Sequence, residues 1–224
     1  MKLHSHPAST TSRMVMLFIA EEAPEVELKT VDIFSGEHLK PEYAKVNPTP
    51  LVPALEDGDF FLSESSAILK YLADKKNSPS YPKDLRERAR VNEMMDWLNT
   101  NLYRDIAYGV VYPQAFPTHK RRSGEAQEST VAWSAEKTRA WLKILDERLI
   151  GPNKNFLCGN RITIADYMGS QAVAIGELIG CDFSPYPNVT RWLDNMKSLK
   201  SWGRVHEVFD GFAGSIKGQK FTTI

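Results

Sequence analysis

The sequence predicts an α/β domain followed by an all-helical domain. Over residues 1–76, short runs typical of strands are interleaved with helical patterns. From residue 85 to residue 224, apolar residues recur every three to four positions, which is the repeat of amphipathic helices. Between them, residues 77–84 hold two prolines and two serines without periodicity, so a linker is expected there.

The first domain is expected to run strand, helix, strand, helix, hairpin, helix. Its elements are predicted at residues 2–5, 9–23, 26–30, 41–46, 51–62 and from about 64 onward. Hydroxyl residues start the first helix, and Pro24 ends it because proline cannot continue a helix. Residues 26–30 alternate apolar and polar side chains, which predicts a half-buried strand. The Asp57-Gly58 pair predicts the hairpin turn, with one ring of Phe60 and Phe61 facing outward.

The second domain is predicted to contain five apolar stripes on helices. Their members are Val91, Met95, Leu98, Leu102 and Ile106; Val131, Ala135, Thr138, Leu142, Leu145 and Leu149; Ile164, Met168, Ala172, Ile175 and Ile179; Val189, Trp192, Leu193 and Met196; and Trp202, Val205, Phe209 and Phe212. Core packing explains these stripes without a chemical role. Thr163 and Asp166, just before the third stripe, form a helix-starting capping pattern.

Charge and cysteine content favour a soluble cytoplasmic protein. The chain has 28 Lys plus Arg and 28 Asp plus Glu, so no net charge attracts it to nucleic acid or to an anionic membrane. No apolar run reaches the roughly 20 residues that a membrane span needs, and the N-terminus lacks the apolar region of a signal peptide. Two cysteines, Cys158 and Cys181, are too few for a disulfide framework, so a reducing compartment is expected.

A hydroxyl-rich loop opens the first helix and is the first candidate for a chemical site. Ser9 lies where backbone N–H groups and the helix dipole stabilise an anion such as a thiolate, although hydroxyls at this place are usually only caps. Thr10, Thr11 or Ser12 would serve equally if the register were shifted. Farther along, Pro53 cannot donate a ladder hydrogen bond and would leave the Val52 backbone open to an extended ligand, unless the segment is an ordinary edge strand.

Two further segments carry side chains suited to the ends of a small zwitterionic ligand. Ser65 at a helix start suits a carboxylate and Glu64 beside it suits an ammonium, while a helix cap with a surface glutamate is the simpler alternative. His38 and Lys40 would grip a second carboxylate, although a solvated loop is the simpler interpretation of that segment alone. His4 and His6 share one strand face, but too few ligands accompany them for a metal site.

Together these motifs resemble those of the cytosolic glutathione transferases. The segment at 6–13, His-Pro-Ala-Ser-Thr-Thr-Ser-Arg, resembles the first motif of the plant phi class, and Gly-Glu-His-Leu-Lys-Pro at 36–41 resembles the second motif of the theta, delta and phi classes. Four further segments resemble the core motifs of the whole superfamily: Asn47-Pro48, Val52-Pro53-Ala54-Leu55, Asp57-Gly58 and Glu64-Ser65-Ser66-Ala67-Ile68. The likeness is clear through residue 75 and from about 156 to 210, and loose between them.

This resemblance implies a thioredoxin-like first domain and a role for each motif residue. Ser9 corresponds to the hydroxyl that hydrogen-bonds the glutathione sulfur, and Arg13 to a structural arginine. The residues implied to hold glutathione are His38 and Lys40 for its glycine carboxylate, Val52 with a cis Pro53 for its cysteine, and Glu64 and Ser65 for its γ-glutamyl end. Glutathione would be a co-substrate, with no metal and no nucleotide, in a homodimer.

The resemblance also implies a second substrate, a small hydrophobic electrophile bound between the domains. Candidate contacts are Tyr103, Tyr108, Tyr112 and Phe116, whose alternative role is aromatic core or interface packing. The tail at 217–224 would either close over this site or be disordered.

Two alternatives to detoxification-type conjugation are considered. One is a glutathione-dependent dehalogenase or peroxidase of the same fold, and the other is a non-catalytic binding or adaptor protein. Since the chain keeps both the serine loop and the Glu64-Ser65 pair, an enzyme is favoured. No cysteine neighbours Ser9, which argues against the glutathione-lyase and dehydroascorbate chemistry of cysteine-type relatives.

Overall fold

A computed structural model describes all 224 residues and begins with a four-stranded sheet flanked by helices. The elements of this first part are β1 Lys2–Ser5, α1 Thr10–Glu22, β2 Glu27–Thr30, α2 Pro41–Ala44, β3 Ala54–Asp57, β4 Phe60–Ser63 and α3 Ser65–Lys75. A 3₁₀ turn, Glu37–Leu39, precedes α2. The order strand, helix, strand, helix, hairpin, helix predicted from the sequence is therefore confirmed.

The sheet order is β2-β1-β3-β4, with β1 parallel to β2 and antiparallel to β3. Leu3 pairs with Leu28 on one side and with Leu55 on the other. Leu3 and Leu55 are fully buried, whereas Leu28 on the edge strand is 46% exposed. The centre of the sheet thus supplies the core, and α1 and α3 pack against each other above it.

Three local expectations for this domain were wrong. All four residues of β2 are exposed, and only Val26 and Val31 at its flanks are buried, because alternation along a strand does not reveal whether another element covers it. The hairpin turns at Gly58-Asp59, one residue later than expected, since Asp57 still pairs with Phe60. Both phenyl rings of β4 are partly exposed, rather than one.

The rest of the chain is helical, as predicted. Its α-helices are α4 Leu85–Trp97, α5 Tyr112–Ala115, α6 Gly124–Ile144, α7 Ile164–Ala174, α8 Pro187–Lys197 and α9 Trp202–Ser215. Two π-helical segments, Leu98–Val111 and Leu145–Ile150, continue α4 and α6, and 3₁₀ turns lie at Pro117–His119 and Ile175–Ile179. All members of the five predicted stripes are buried except Leu149 and Phe212, which are partly buried.

The two parts meet along α1 and α7, around a shared carboxylate. Glu22 at the end of α1 accepts a hydrogen bond from the Tyr167 hydroxyl on α7 (2.7 Å). The same carboxylate accepts from the hydroxyls of Ser78 and Ser80, which lie between α3 and α4. Residues 77–84 form no helix or strand, but these serines are buried. No helix of the chain combines the length and the apolar character needed to cross a bilayer.

Candidate active site

Ser9 is the N-cap residue of α1, at the junction of β1 and the helix. Its backbone is extended, and its Oγ accepts a hydrogen bond from the Ser12 N–H (3.3 Å). The first turn of α1 contains no acidic residue, so the positive end of the helix dipole is not neutralised by a neighbouring side chain. Ser9 is half-buried, whereas Thr10 and Ser12 are buried. Of these three hydroxyls, that of Ser9 is the most open to a ligand.

Thr11 connects this loop to the segment at Val52. Its hydroxyl donates to the Val52 carbonyl (3.0 Å), and its Oγ1 lies 3.1 Å from the Ser9 Oγ. The Val52–Pro53 peptide bond is cis, as expected from the resemblance. The loop that carries Ser9 and the Val52-Pro53 segment are therefore joined by hydrogen bonds.

Arg13 holds the loop that carries Ser9. Its guanidinium is fully buried, and its NH1 donates to the carbonyls of Pro7 (3.0 Å) and Ala8 (2.9 Å). Its Nε donates to Gln171 on α7, and the guanidinium lies 4.2 Å from the ring centroid of Phe209 on α9. Burial lowers the pKa of Arg13 to about 10, which leaves it charged near neutral pH. These contacts support the structural role expected for it.

Glu64 and Ser65 mark the start of α3. Glu64 is exposed and adopts φ 68°, a left-handed conformation that is strained for a residue with a side chain. Ser65, the first residue of the helix, is buried with its hydroxyl 3.5 Å from the Met14 sulfur on α1. The structure thus places Glu64 and Ser65 at the N-terminus of α3, and their role in holding a zwitterion stays a prediction.

The structure shows no direct contact that joins His38 and Lys40 to the other candidate residues. His38 lies in the 3₁₀ turn and is partly buried, with its Nδ1 shielded from solvent and without a hydrogen-bond partner. Lys40 is exposed and forms no ion pair. Their role in gripping a carboxylate stays a prediction.

Among the four predicted aromatic contacts, Tyr103 and Tyr112 are buried. Their hydroxyls lie 2.8 Å apart, and the Tyr112 hydroxyl donates to the Thr10 Oγ1 (3.0 Å). These two hydrogen bonds connect the helical domain to the start of α1. They favour a role in core packing, rather than contact with the electrophile, for both rings. Tyr108, by contrast, is 46% exposed, and Phe116 is partly exposed.

Two family models cover most of the chain. The glutathione S-transferase N-terminal domain matches residues 1–74, and the glutathione S-transferase C-terminal domain matches residues 103–200. The chain belongs to the glutathione S-transferase family.

Relatives of known name support this assignment. The chain is 35% identical to human glutathione S-transferase theta-1 over 206 residues, which are 88% of this chain and 82% of that protein. Human glutathione transferase theta-2, solved in complex with glutathione and an unknown ligand, has a TM-score of 0.83 at 27% identity, with 100% of this chain and 93% of that chain covered. A delta-class glutathione transferase of Nilaparvata lugens has a TM-score of 0.80 at 30% identity, with 96% and 98% covered.

The family, the fold class and the transferase class expected from the sequence are thus confirmed for this glutathione S-transferase. The loop after α5 adds a residue that the sequence motifs do not single out. His119 is exposed, and its ring centroid lies 5.1 Å from that of Tyr112 and 6.2 Å from that of Phe116. Its spacing of three residues from Phe116 was the available signal, because a single turn brings such residues together.

The C-terminal tail of this transferase is held near the same aromatic group. Thr222 and Gln114 exchange two hydrogen bonds (2.8 and 2.9 Å), and Arg139 donates to the Thr223 carbonyl (3.1 Å). Phe212 on α9 stacks on Phe116 with ring centroids 5.4 Å apart. Phe116 is therefore packed against α9, and the tail is hydrogen-bonded to α5 and α6.

Cys158, Cys181, His4 and His6 do not belong to the aromatic group around Tyr108 and Phe116. Burial raises the pKa of Cys158 and of Cys181 to about 11, so both thiols are largely protonated and weakly nucleophilic at neutral pH. The His4 Nε2 bonds Glu56 (2.6 Å), and the His6 Nδ1 accepts from the Ala8 N–H (3.1 Å). No group of three or more His, Cys, Asp and Glu side chains is arranged to hold a metal ion.

Proposed function

We propose that this transferase conjugates glutathione to small hydrophobic electrophiles, with Ser9 stabilising the glutathione thiolate. The observation that carries the proposal is the half-exposed Ser9 hydroxyl at the N-terminus of α1, joined through Thr11 to the Val52 carbonyl before the cis Pro53. A ligand whose backbone lies along Val52 would bring a cysteine sulfur toward this hydroxyl.

The reaction follows from the chemistry of the thiol. A free cysteine has a pKa near about 8.5, so only a few per cent is thiolate at neutral pH. A hydroxyl donor and a helix N-terminus both favour the charged form and lower that pKa. The thiolate then attacks the electrophilic carbon, a carbon–sulfur bond forms, and the leaving group departs with the bonding electron pair. The thiol proton passes to solvent.

Affinity for glutathione would come from its two charged ends. Glu64 and Ser65 suit the ammonium and the carboxylate of the γ-glutamyl end, and His38 and Lys40 suit the glycine carboxylate. Human theta-2, which shares the fold, was solved with glutathione bound. This division predicts that affinity depends on the charged ends, whereas thiolate formation depends on Ser9.

The electrophile would contact Tyr108 and Phe116. Burial, then the neighbouring Tyr112 and then Glu64 raise the pKa of Tyr108. A two-substrate site requires the electrophile to lie beside glutathione, and Tyr108 and Phe116 are the members of the predicted aromatic set that are open to a ligand. Tyr103 and Tyr112 would support this surface from the core without touching the electrophile.

We further propose a cytoplasmic homodimer. Phe60 and Phe61 on β4 are 45% and 42% exposed, and exposed phenyl rings suit an apolar contact with a second copy. Light scattering at micromolar concentration tests this directly: a dimer mass is expected, and a monomer mass would disprove the dimer. The unpaired Cys158 and Cys181 suit a reducing compartment.

The decisive test combines retention on immobilised glutathione with a conjugation assay that uses a reactive aryl halide. The enzyme should be retained, eluted by free glutathione, and should form the aryl thioether in proportion to its concentration. Thermal stability should also rise with glutathione, because a ligand that binds only the folded state stabilises it by mass action. Retention without conjugation would indicate a binding protein, and the absence of both would refute the proposal.

A further inference from the structure

The hydroxyl hydrogens around Ser9 can be assigned from the acceptors they face. Thr11 has one hydroxyl hydrogen, and the Val52 carbonyl 3.0 Å away can only accept. The 3.1 Å contact between the Ser9 Oγ and the Thr11 Oγ1 therefore uses the hydrogen of Ser9. The donors therefore run from Ser9 to Thr11 to Val52, and the Ser9 hydrogen is directed at the Thr11 Oγ1.

A thiolate needs that same hydrogen. When Ser9 turns its hydrogen toward the sulfur, it no longer donates to the Thr11 Oγ1. The contact between the two hydroxyl oxygens then keeps a hydrogen bond only if Thr11 donates to Ser9 instead. We propose that Thr11 is a positioning residue: it turns its hydroxyl from the Val52 carbonyl to the Ser9 Oγ when glutathione binds, and so couples ligand binding at Val52 to thiolate stabilisation. This inference rests on the proposed role of Ser9.

The reversal has two favourable consequences. Ser9 would then accept from both the Ser12 N–H and the Thr11 hydroxyl, and a donor that itself accepts is polarised into a stronger donor. The Val52 carbonyl oxygen, which has two lone pairs, would then have both of them available to the ligand backbone. Both changes are rotations about C–O bonds and need no movement of the side-chain oxygens.

The other hydroxyls of the run cannot replace Thr11. Thr10 is buried and accepts from Tyr112, and Ser12 is buried and accepts from the His6 N–H (3.3 Å). Ser9 and Thr11 are the two members of the run that stay partly exposed. Thr11 alone contacts both Ser9 and Val52.

The test compares Thr11→Val, which keeps the shape and removes the hydroxyl, with Thr11→Ser, which restores it. The readouts are the pH profile of kcat/KM and the thiolate absorbance of enzyme-bound glutathione. Thr11→Val should raise the pKa of the bound thiol by roughly half a unit to one unit, which lowers kcat/KM about three- to ten-fold below that pKa and far less above it. Thr11→Ser should restore the wild-type profile.

The control is Thr100→Val, an exposed threonine whose hydroxyl bonds only a helix carbonyl and an asparagine, and it should leave the profile unchanged. If Thr11→Val slows the enzyme equally at every pH, Thr11 is merely structural and the inference is overturned. If Thr11→Val does not fold, Thr11→Ala takes its place in the same measurement. Ser9→Ala separates the two ideas: its full activity would refute the role of Ser9, whereas its loss together with an unshifted Thr11→Val profile would refute only the coupling.

Discussion

Two helix starts in this molecule share a hydroxyl residue at the N-cap, Ser9 in α1 and Thr163 in α7, but they serve different purposes. At α1, Ser9 accepts one long hydrogen bond from Ser12 (3.3 Å) and remains partly exposed. At α7, Asp166 is fully buried and accepts from the Thr163 N–H (2.7 Å) and hydroxyl (2.9 Å). It also accepts from the Leu157 N–H (2.8 Å) and the Trp192 indole N–H (2.9 Å).

The Ser9 hydroxyl and the Asp166 carboxylate differ in how much hydrogen-bonding capacity the protein leaves available to a ligand. The Asp166 carboxylate is shared among four protein donors, so a ligand would have to break structure to reach it. Ser9 has a rotatable hydrogen, an unneutralised helix N-terminus and an open side. A cap whose partners are all internal serves folding, whereas a partly exposed cap whose hydroxyl can turn its hydrogen toward a ligand is available for chemistry.

The largest effect is expected from Asp166→Ala. The Leu157 and Thr163 N–H groups and the Trp192 indole would lose their acceptor inside the protein, and each such loss costs about 1–3 kcal/mol. Unfolding free energy, measured by chemical denaturation, should fall by about 3–5 kcal/mol in total because the site relaxes only in part. Ser123→Ala removes the exposed cap of α6 and should cost only about 1 kcal/mol. Equal losses in the two variants would contradict the comparison.

Acid should weaken the region that anchors α1. His206 is buried against Trp202 near Arg13, and burial lowers its pKa to about 4 from an unfolded value of about 6.5. Between these values the unfolded chain binds more protons, so stability falls as the pH falls. The loss should approach about 3 kcal/mol and level off below pH about 4. In His206→Phe this part of the pH dependence should disappear, as denaturation at a series of pH values would show.

Ser9→Ala should separate catalysis from binding. Loss of a donor to a developing or stabilised anion costs on the order of a hundred-fold in rate, or about 2.7 kcal/mol, while glutathione affinity should largely survive. Conjugation rate and calorimetric affinity are measured on the same preparation. If Ser9→Ala stays fully active while Thr10→Ala or Ser12→Ala does not, a different hydroxyl of the run is the active one.

A third helix start, at α3, should behave like the first. Ser65→Ala removes a donor to a charged group, which costs about 1.5–3 kcal/mol, or roughly ten- to a hundred-fold in glutathione affinity. Glu64→Gln should weaken glutathione more than its des-amino analogue, since only glutathione carries the ammonium. Loss of a mere cap would lower the melting temperature and leave this selectivity unchanged. Equal weakening of both ligands would show that Glu64 does not read the ammonium.

The sequence by itself determined the order of the elements, because each signal is local. The Ser9 loop, Pro24, the Asp57-Gly58 pair and the Thr163–Asp166 pattern act on their own neighbours, and the structure follows them within about a residue or two. The five apolar stripes likewise lie in the core, since periodicity alone selects a helix face.

Only the tertiary structure decided which residues are covered and which are joined. No pattern in the chain shows that β2 is an exposed edge, that Tyr103 and Tyr112 are fastened to Thr10, or that Thr11 bonds Val52. These contacts join residues up to 102 positions apart. Burial and hydrogen-bond partnership depend on elements brought together by folding, so the sequence names the hydroxyls at Ser9–Ser12, and the packed structure determines which of them remains free to act.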